Sequence, residues 1–117
     1  MSVWREEFPG GYQVPREIEL MVKQGLVEDT SWKGDASPSF GAWLRDNRLL
    51  RLWVEHPNYA RREGSAFRYT LLVQRGFTDP PEEWIVGTDD LEEVLEKLLW
   101  TIQERGREPR WRLLGPA

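Results

Sequence analysis

Two adjacent residues near the middle of the chain could carry out acid–base chemistry. His56 is the only histidine, and it directly follows Glu55. Imidazole titrates near neutral pH and therefore often serves as a general base. Neighbouring side chains of a strand point to opposite faces of the sheet, so Glu55 and His56 are not arranged as an acid–base pair. A histidine held in a turn at the end of a strand is the simpler interpretation. We assign no catalytic residue, and the sequence favours a protein that is not an enzyme.

The segment 29–39 has the highest density of functional groups among the irregular parts of the chain. It combines two aspartates and three serines with Trp32. As a structural element it would be a surface loop anchored by Trp32, and as a site it would be a polar rim beside aromatic walls. If the chain binds a small ligand, the sequence places the pocket at this loop and the following strand end. The predicted lining residues are Trp32, Asp35, Glu55 and His56.

Metal and phosphate sites have no recognisable signature. The candidate metal ligands are Asp29, Asp35, Glu55 and His56. No spacing among them matches a metal-binding motif, and aspartate is also a common turn former. Gly10 and Gly11 lack the lysine that follows a phosphate-binding loop. Cysteine is absent, which removes disulfides and zinc–sulfur sites. We predict no metal and no cofactor.

Single-stranded nucleic acid is a further alternative. Arg61, Arg62 and Arg68 lie close in sequence to Phe67 and Tyr69, and aromatic side chains on strands beside arginines can stack nucleic-acid bases. However, both aromatic residues are also needed for a core, and the net charge of −4 repels a polyanion. We therefore rank nucleic acid below a protein partner.

The element on which the other segments should pack is a helix between Thr88 and Gly106. Its apolar residues recur at the spacing of one helical face. They are Leu91, Val94, Leu95, Leu98, Leu99 and Ile102. Thr88 or Asp89 is predicted to cap the first turn, and Gly106 is predicted to end the helix.

A shorter helix is predicted at residues 15–24, because Pro15 suits a first helical turn and Gly25 suits the position after the last one. The residues before it, 1–14, form an irregular arm, and residues 107–117 form a C-terminal tail. A chain of 117 residues is expected to fold as a single domain.

The middle of the chain has the composition and alternation of strands. These are predicted at residues 40–45, 48–56, 66–74 and 83–86. Asp46 and Asn47 are predicted to form a two-residue hairpin turn. The cross-strand pairs that follow are Trp43 with Leu50 and Phe40 with Trp53. The predicted fold is α+β, a four-stranded antiparallel meander with the long C-terminal helix packed on one face and a short N-terminal helix.

This arrangement leaves more apolar surface than one helix on one sheet face can cover. The residues left over are Phe40, Leu44, Leu49, Arg51, Trp53, Trp100 and Trp111. In one interpretation the short helix and the arm cover the second sheet face, and Trp111 covers Trp100. In the other, these residues form an interface with a second copy or another protein.

The opposite charges of the chain are also segregated. Acids concentrate in residues 76–104, and arginines concentrate in residues 61–75 and 105–117. We expect these blocks to pair with each other or with a second copy.

The sequence therefore favours a noncatalytic protein-interaction or regulatory module that forms a homodimer or binds a protein partner. The absence of a long apolar run and of a basic-then-apolar leader predicts no membrane span and a cytoplasmic location. The alternative is a small ligand-binding protein or enzyme that uses the 29–39 loop with Glu55 and His56.

The helical stripe predicts different effects for two nearby substitutions. Leu98→Ala should lower the free energy of unfolding by about 2–5 kcal/mol, because it removes an apolar side chain from the core. Glu96→Ala should change it little, because Glu96 lies off the stripe. Urea denaturation of both variants measures the difference, and equal small effects would contradict this orientation of the helix.

Overall fold

Five antiparallel strands form one sheet in which each strand pairs with the next along the chain. The computed structural model describes residues 8, 12–31, 35, 37–62 and 65–108. The strands are β1 (Glu28–Asp29), β2 (Ser39–Trp43), β3 (Leu49–Val54), β4 (Tyr69–Gln74) and β5 (Pro81–Thr88). The helices are α1 (Arg16–Lys23) and α2 (Leu91–Arg105), and a short 3₁₀ turn, Tyr59–Arg61, lies between β3 and β4. The fold is thus α+β with an antiparallel meander, as predicted.

The predicted count of four strands was one too few. Glu28 pairs with Gly41 and Asp29 pairs with Phe40, so the chain before the 29–39 loop forms an edge strand. Two residues are too few for an alternating pattern, so this strand could not be recognised by periodicity. At the opposite edge lies β5, whose first four residues are exposed.

The hairpin between β2 and β3 differs from the prediction by one residue. The Leu44 amide donates to the Arg48 carbonyl at 2.8 Å, and Asn47 has a φ of 66°. The turn therefore has three residues and ends in a left-handed asparagine, the second common hairpin type. The observed pairs are Trp43 with Leu49 and Phe40 with Leu52, so the predicted pairs Trp43 with Leu50 and Phe40 with Trp53 are wrong.

A one-residue change of register exchanges the two faces of a strand. Phe40 and Ala42 consequently lie on the face that packs against the helices, and Trp43 lies on the opposite face, which we call the second face. The core on the helix face contains Phe40, Ala42, Leu44, Leu50, Leu52, Val54, Tyr69, Leu71 and Val73 from the sheet and Ile18, Met21, Val94 and Leu98 from the helices. Both helices thus pack on the same face, and α1 does not cover the second face.

The N-cap residue of helix α2 is Asp90, which directly follows the predicted cap candidates Thr88 and Asp89. The side chain of Asp90 accepts a hydrogen bond from the Glu92 amide at 3.0 Å, which satisfies one unpaired amide of the first turn. The helix ends at Gly106, as predicted, with a φ of 78° and an amide that donates to Ile102.

The buried line of α2 is narrower than the predicted stripe. Val94 and Leu98 are buried together with Thr101, whereas Leu99 is 46% exposed. Trp100, on the far side of the helix, is 59% exposed.

Several ion pairs lie at one end of the sheet, and the pair of Arg105 with Glu83 joins two of the segregated charge blocks. Arg48 contacts Glu82 at 2.6 Å, and Arg105 contacts Asp46 at 2.6 Å and Glu83 at 2.7 Å. Arg105 therefore joins α2 to the β2–β3 turn and to β5. The chain after α2 continues this contact, because Arg107 forms an isolated bridge with Leu44. No helix in the described ranges is both long and apolar enough to cross a membrane.

The ion pair at the hairpin turn predicts a pH-dependent contribution to stability. Burial acts to raise the pKa of Asp46, but hydrogen bonds from the Arg105 side chain and the Arg48 amide outweigh it, so the pKa lies below its ordinary value. A depressed pKa stabilises the fold above the unfolded-state pKa of about 3.9, and this contribution is lost as the pH falls through the folded-state pKa.

Asp46→Asn keeps an acceptor for the Arg48 amide but removes the charge. We expect it to lower stability at neutral pH by less than about 1 kcal/mol, because the pair is partly exposed. Thermal denaturation of both proteins should give a gap at neutral pH that closes at strongly acidic pH. Glu104→Gln, on the exposed face of α2, is the matched control and should give no gap. A gap for Asp46→Asn that persists under acid would contradict the assignment.

Candidate functional site

The second face of the sheet is organised around the guanidinium of Arg51, a residue of β3 that is 2% exposed. Its Nε donates to Ser39 Oγ at 3.0 Å, within the sheet. Its Nη1 donates to the Phe77 carbonyl at 3.0 Å, and its Nη2 donates to the Thr30 carbonyl at 3.0 Å. One side chain therefore ties the loop after β1 and the β4–β5 turn to the centre of the sheet.

The same guanidinium is flanked by aromatic rings. The Cζ atom of Arg51 lies 4.2 Å from the ring centroid of Trp53 and 5.7 Å from that of Phe77. Phe77 in turn meets Trp43 edge-to-face, with ring centroids 5.9 Å apart. Burial lowers the pKa of Arg51, and the carboxylate of Asp35, 3.5 Å from Nη2, opposes this change. The guanidinium stays charged at neutral pH and holds the Trp53 ring in place.

The hydroxyl groups of Thr30, Ser31 and Ser39 bond to one another or to the backbone of the 29–39 loop. Thr30 Oγ1 lies 2.8 Å from Ser39 Oγ, and the Ser39 amide donates to Ser31 Oγ at 3.0 Å. Asp29 Oδ1 accepts from the Ser31 amide at 3.0 Å. These bonds fasten the loop to the edge of β2.

A groove with a cavity of about 360 Å³ crosses β4 on the second face. Its described lining residues are Ser37, Trp53, Glu55, Ser65, Thr70, Leu72, Pro81 and Trp84. Thr70 of β4 pairs with Trp53 of β3, and Leu72 of β4 pairs with Trp84 of β5. Because β4 lies between these strands, Thr70 and Leu72 form the floor and the two tryptophans stand on either side.

The groove has a polar end. Glu55, 2% exposed, accepts a hydrogen bond from Ser37 Oγ at 3.1 Å through its Oε2 atom. Thr70 Oγ1 donates to Ser65 Oγ at 3.2 Å. Hydroxyls can both donate and accept, whereas a carboxylate accepts only, so this end presents both kinds of hydrogen-bonding group.

Gly87 allows the aromatic wall on β5 to lie close to the sheet. A Cβ atom at this position would come within 2.6 Å of Phe67 Cδ2 and 2.9 Å of Trp84 Cζ2. Trp84 is 58% exposed, so its ring is packed at one edge and open at the other.

The structure separates the three predicted pocket residues that it describes, Asp35, Glu55 and His56. Glu55 lines the groove. His56 lies on the other side, where its ring meets Tyr12 at 5.0 Å and its Nδ1 accepts from the Asn58 amide at 2.9 Å. Asp35 contacts Arg51 and is not a lining residue. Trp32 lies outside the described residues.

The residues predicted to form an interface do not lie on one common surface. Phe40 and Leu44 lie in the core on the helix face, and Leu49 and Arg51 are buried within the chain. Trp53 lines the groove and Trp100 is exposed on α2. Trp111 lies outside the described residues. Of the predicted set, Trp100 alone among the described members has a strongly exposed side chain.

The residues of the nucleic-acid alternative are partly engaged elsewhere. Arg62 donates to the carbonyls of His56 and Ala66. Arg68 donates to the carbonyls of Glu55 and Gln13. Two of the three arginines thus hold backbone segments together. Within the described ranges, acidic and histidine side chains form no cluster of three or more that could hold a metal ion.

Several groove residues were not identified from the sequence. Trp84, Pro81 and Ser65 belong to this group. Strand alternation puts Thr70 and Leu72 on the face away from Tyr69 and Leu71, so the sequence pattern could have identified this pair. The position of Trp84 could not be predicted in this way, because bulges shift the pairing of β4 with β5.

Removal of the Arg51 side chain should destabilise the protein. Arg51→Met keeps an apolar body but leaves the carbonyls of Thr30 and Phe77 without their donor, so we expect a loss of about 2–5 kcal/mol of unfolding free energy. Arg51→Lys should restore only part of it, because an ammonium group lacks the planar fork of donors. Urea denaturation measures both. Arg75→Met, at an exposed arginine, is the control, and an equal effect of Arg51→Met and Arg75→Met would contradict this role.

The arrangement on the second face combines a cavity, two aromatic sides and a polar end. Its described lining contains one carboxylate, that of Glu55, and three hydroxyl side chains, those of Ser37, Ser65 and Thr70. No protein-family model, no curated protein and no solved structure matches the chain.

Proposed function

We propose that this chain is a binding protein whose groove over β4 takes a small, uncharged molecule with a flat apolar part. The observation that carries the proposal is the cavity of about 360 Å³ between Trp53 and Trp84. Ligand pockets in proteins are mostly apolar clefts of about 300–1,000 Å³ with a few polar groups that orient the ligand. The groove has this size and composition.

The spacing of the strands favours a planar group. Trp53 and Trp84 stand on strands that flank β4, and two strand spacings amount to roughly 10 Å. An aromatic ring in van der Waals contact needs about 3.5–4 Å on each side. Trp53 lies level with Thr70 and Trp84 lies level with Leu72, so a flat ring lying along β4 can contact both indoles.

The charges of the lining argue against an anionic ligand. Of the described lining residues, Glu55 is acidic and none is basic. A carboxylate or phosphate on the ligand would find no basic partner among these residues and would lie near the Glu55 carboxyl group. Hydroxyl or amide groups can instead bond to Ser37, Ser65 and Thr70.

This proposal follows the alternative of a small ligand-binding protein that the sequence suggested, but its pocket is lined by a different set of residues. Glu55 is retained, and the loop contributes Ser37 in place of Asp35. Much of the apolar surplus that favoured an interface is buried within the chain. A homodimer and a cytoplasmic location remain predictions of the sequence.

Two matched probes and two matched variants test the proposal. Benzamide and benzoate share one ring and differ in charge, so we expect benzamide to shift the amide resonances of Thr70 and Leu72 in NMR titrations and benzoate to do so much less. Trp84→Ala should weaken benzamide binding on the order of tenfold, because it removes a stacked aromatic wall. Trp100→Ala removes an equally exposed tryptophan from the helix layer and should leave the titration unchanged.

A third variant closes the groove instead of opening it. Gly87→Ala places a methyl group against Phe67 and Trp84, so one of these rings must move, and we expect weaker benzamide binding. The proposal would be abandoned if benzamide leaves Thr70 and Leu72 unshifted, or if its binding survives Trp84→Ala.

A further inference from the structure

The exposed side of α2 has a composition unlike that of the groove. Leu99 and Trp100 are adjacent and largely exposed. The exposed charged residues of the same helix are Glu92, Glu93, Glu96, Lys97 and Glu104. We call this surface, centred on Leu99 and Trp100, the α2 surface.

Within the described part of the chain, the acids of the α2 surface outnumber the single lysine beside them, Lys97. The ion pairs of the neighbouring elements use Glu82, Glu83 and Asp46. Glu92, Glu93, Glu96 and Glu104 take part in no ion pair within the described ranges. Glu92 and Glu96 are moreover four residues apart on one helical face, where like charges repel. The α2 surface therefore keeps a net negative charge around an apolar centre.

We propose that the α2 surface docks a basic, apolar-anchored segment of another protein. Tryptophan is among the residues that contribute most to protein interfaces, and a lysine or arginine near its ring adds a cation–π contact. The same basic residues would pair with Glu96 and Glu104, which lie one helical turn before and after Trp100. An acidic rim around an apolar anchor is complementary to a segment with basic residues around an apolar side chain.

The charge also excludes the other classes of partner. Nucleic acid and anionic lipid surfaces carry the same sign of charge as the α2 surface and are repelled by it. A symmetric second copy would place α2 against α2, because both subunits of a twofold interface use the same patch. That contact would oppose two surfaces that each carry four glutamates and one lysine, so the net repulsion argues against the predicted homodimer at Trp100.

A pair of designed peptides provides the test. The first is a helical peptide with leucines on one face and lysines on the other, and the second has glutamates in place of the lysines. We expect calorimetry to detect binding of the lysine peptide and none of the glutamate peptide. Added salt should weaken the complex, because part of the attraction is electrostatic.

Variants then locate the binding surface. Trp100→Ala should weaken binding of the lysine peptide by at least about tenfold, as expected for an interface anchor. Trp84→Ala changes the groove and should leave peptide binding unchanged, which separates this proposal from the small-ligand proposal.

A second pair of variants separates local charge from overall charge. The double variant Glu96→Gln/Glu104→Gln removes two charges beside Trp100, whereas Glu17→Gln/Asp79→Asn removes two exposed charges elsewhere. We expect the first to weaken binding by about threefold or more and the second to have a clearly smaller effect.

The proposal is overturned if the lysine peptide does not bind, if its binding survives Trp100→Ala, or if the two double variants weaken it equally. Self-association abolished by Trp100→Ala would assign the surface to a second copy and would also overturn it.

Discussion

The donors of a guanidinium buried against a β-sheet need hydrogen-bond acceptors. Those of Arg51 bond to the backbone of two segments that are distant in sequence. The carbonyls of Thr30 and Phe77 belong to the loop after β1 and to the β4–β5 turn, and both are drawn over the centre of the sheet. Stacking on Trp53 then fixes one side of the groove. The second face is thus held together by a buried charged residue and not by a packed helix. Part of that face stays open, and the groove occupies it.

The register of the β2–β3 hairpin decides which aromatic residues reach that face. A left-handed Asn47 makes the turn one residue longer than the shortest hairpin. Phe40 consequently enters the helix-side core, and Trp43 joins Phe77 beside Arg51. With a two-residue turn the bulky Phe40 would lie near Trp53, and the core would hold Trp43 in its place. A single backbone conformation therefore controls the composition of both layers.

The two layers present surfaces of different chemistry. The sheet layer has a concave groove with tryptophan sides and a hydroxyl-rich end, which suits a small planar molecule. The helix layer has an exposed apolar centre beside acids that form no ion pair with described residues, which suits a basic polypeptide segment. Trp84 and Trp100 are almost equally exposed, yet they lie on opposite layers. Each therefore serves as the matched control for the other.

Local patterns in the sequence determined the two helices, four of the five strands and their meander order, because periodicity and capping act over a few residues. Pro15, Gly25 and Gly106 marked helix ends correctly, and alternation put Thr70 and Leu72 on one face. The three-residue turn at Asn47 and the two-residue strand β1 differ from their alternatives by one or two residues, so only tertiary pairing decided them. Of the described residues of the predicted pocket, Glu55 lines the groove, whereas His56 and Asp35, which were assigned by proximity along the chain, do not. The groove itself arises where β3, β4 and β5 meet. Trp53 and Trp84 are far apart in sequence, and only strand pairing across β4, with its bulges, brings them to the same cavity.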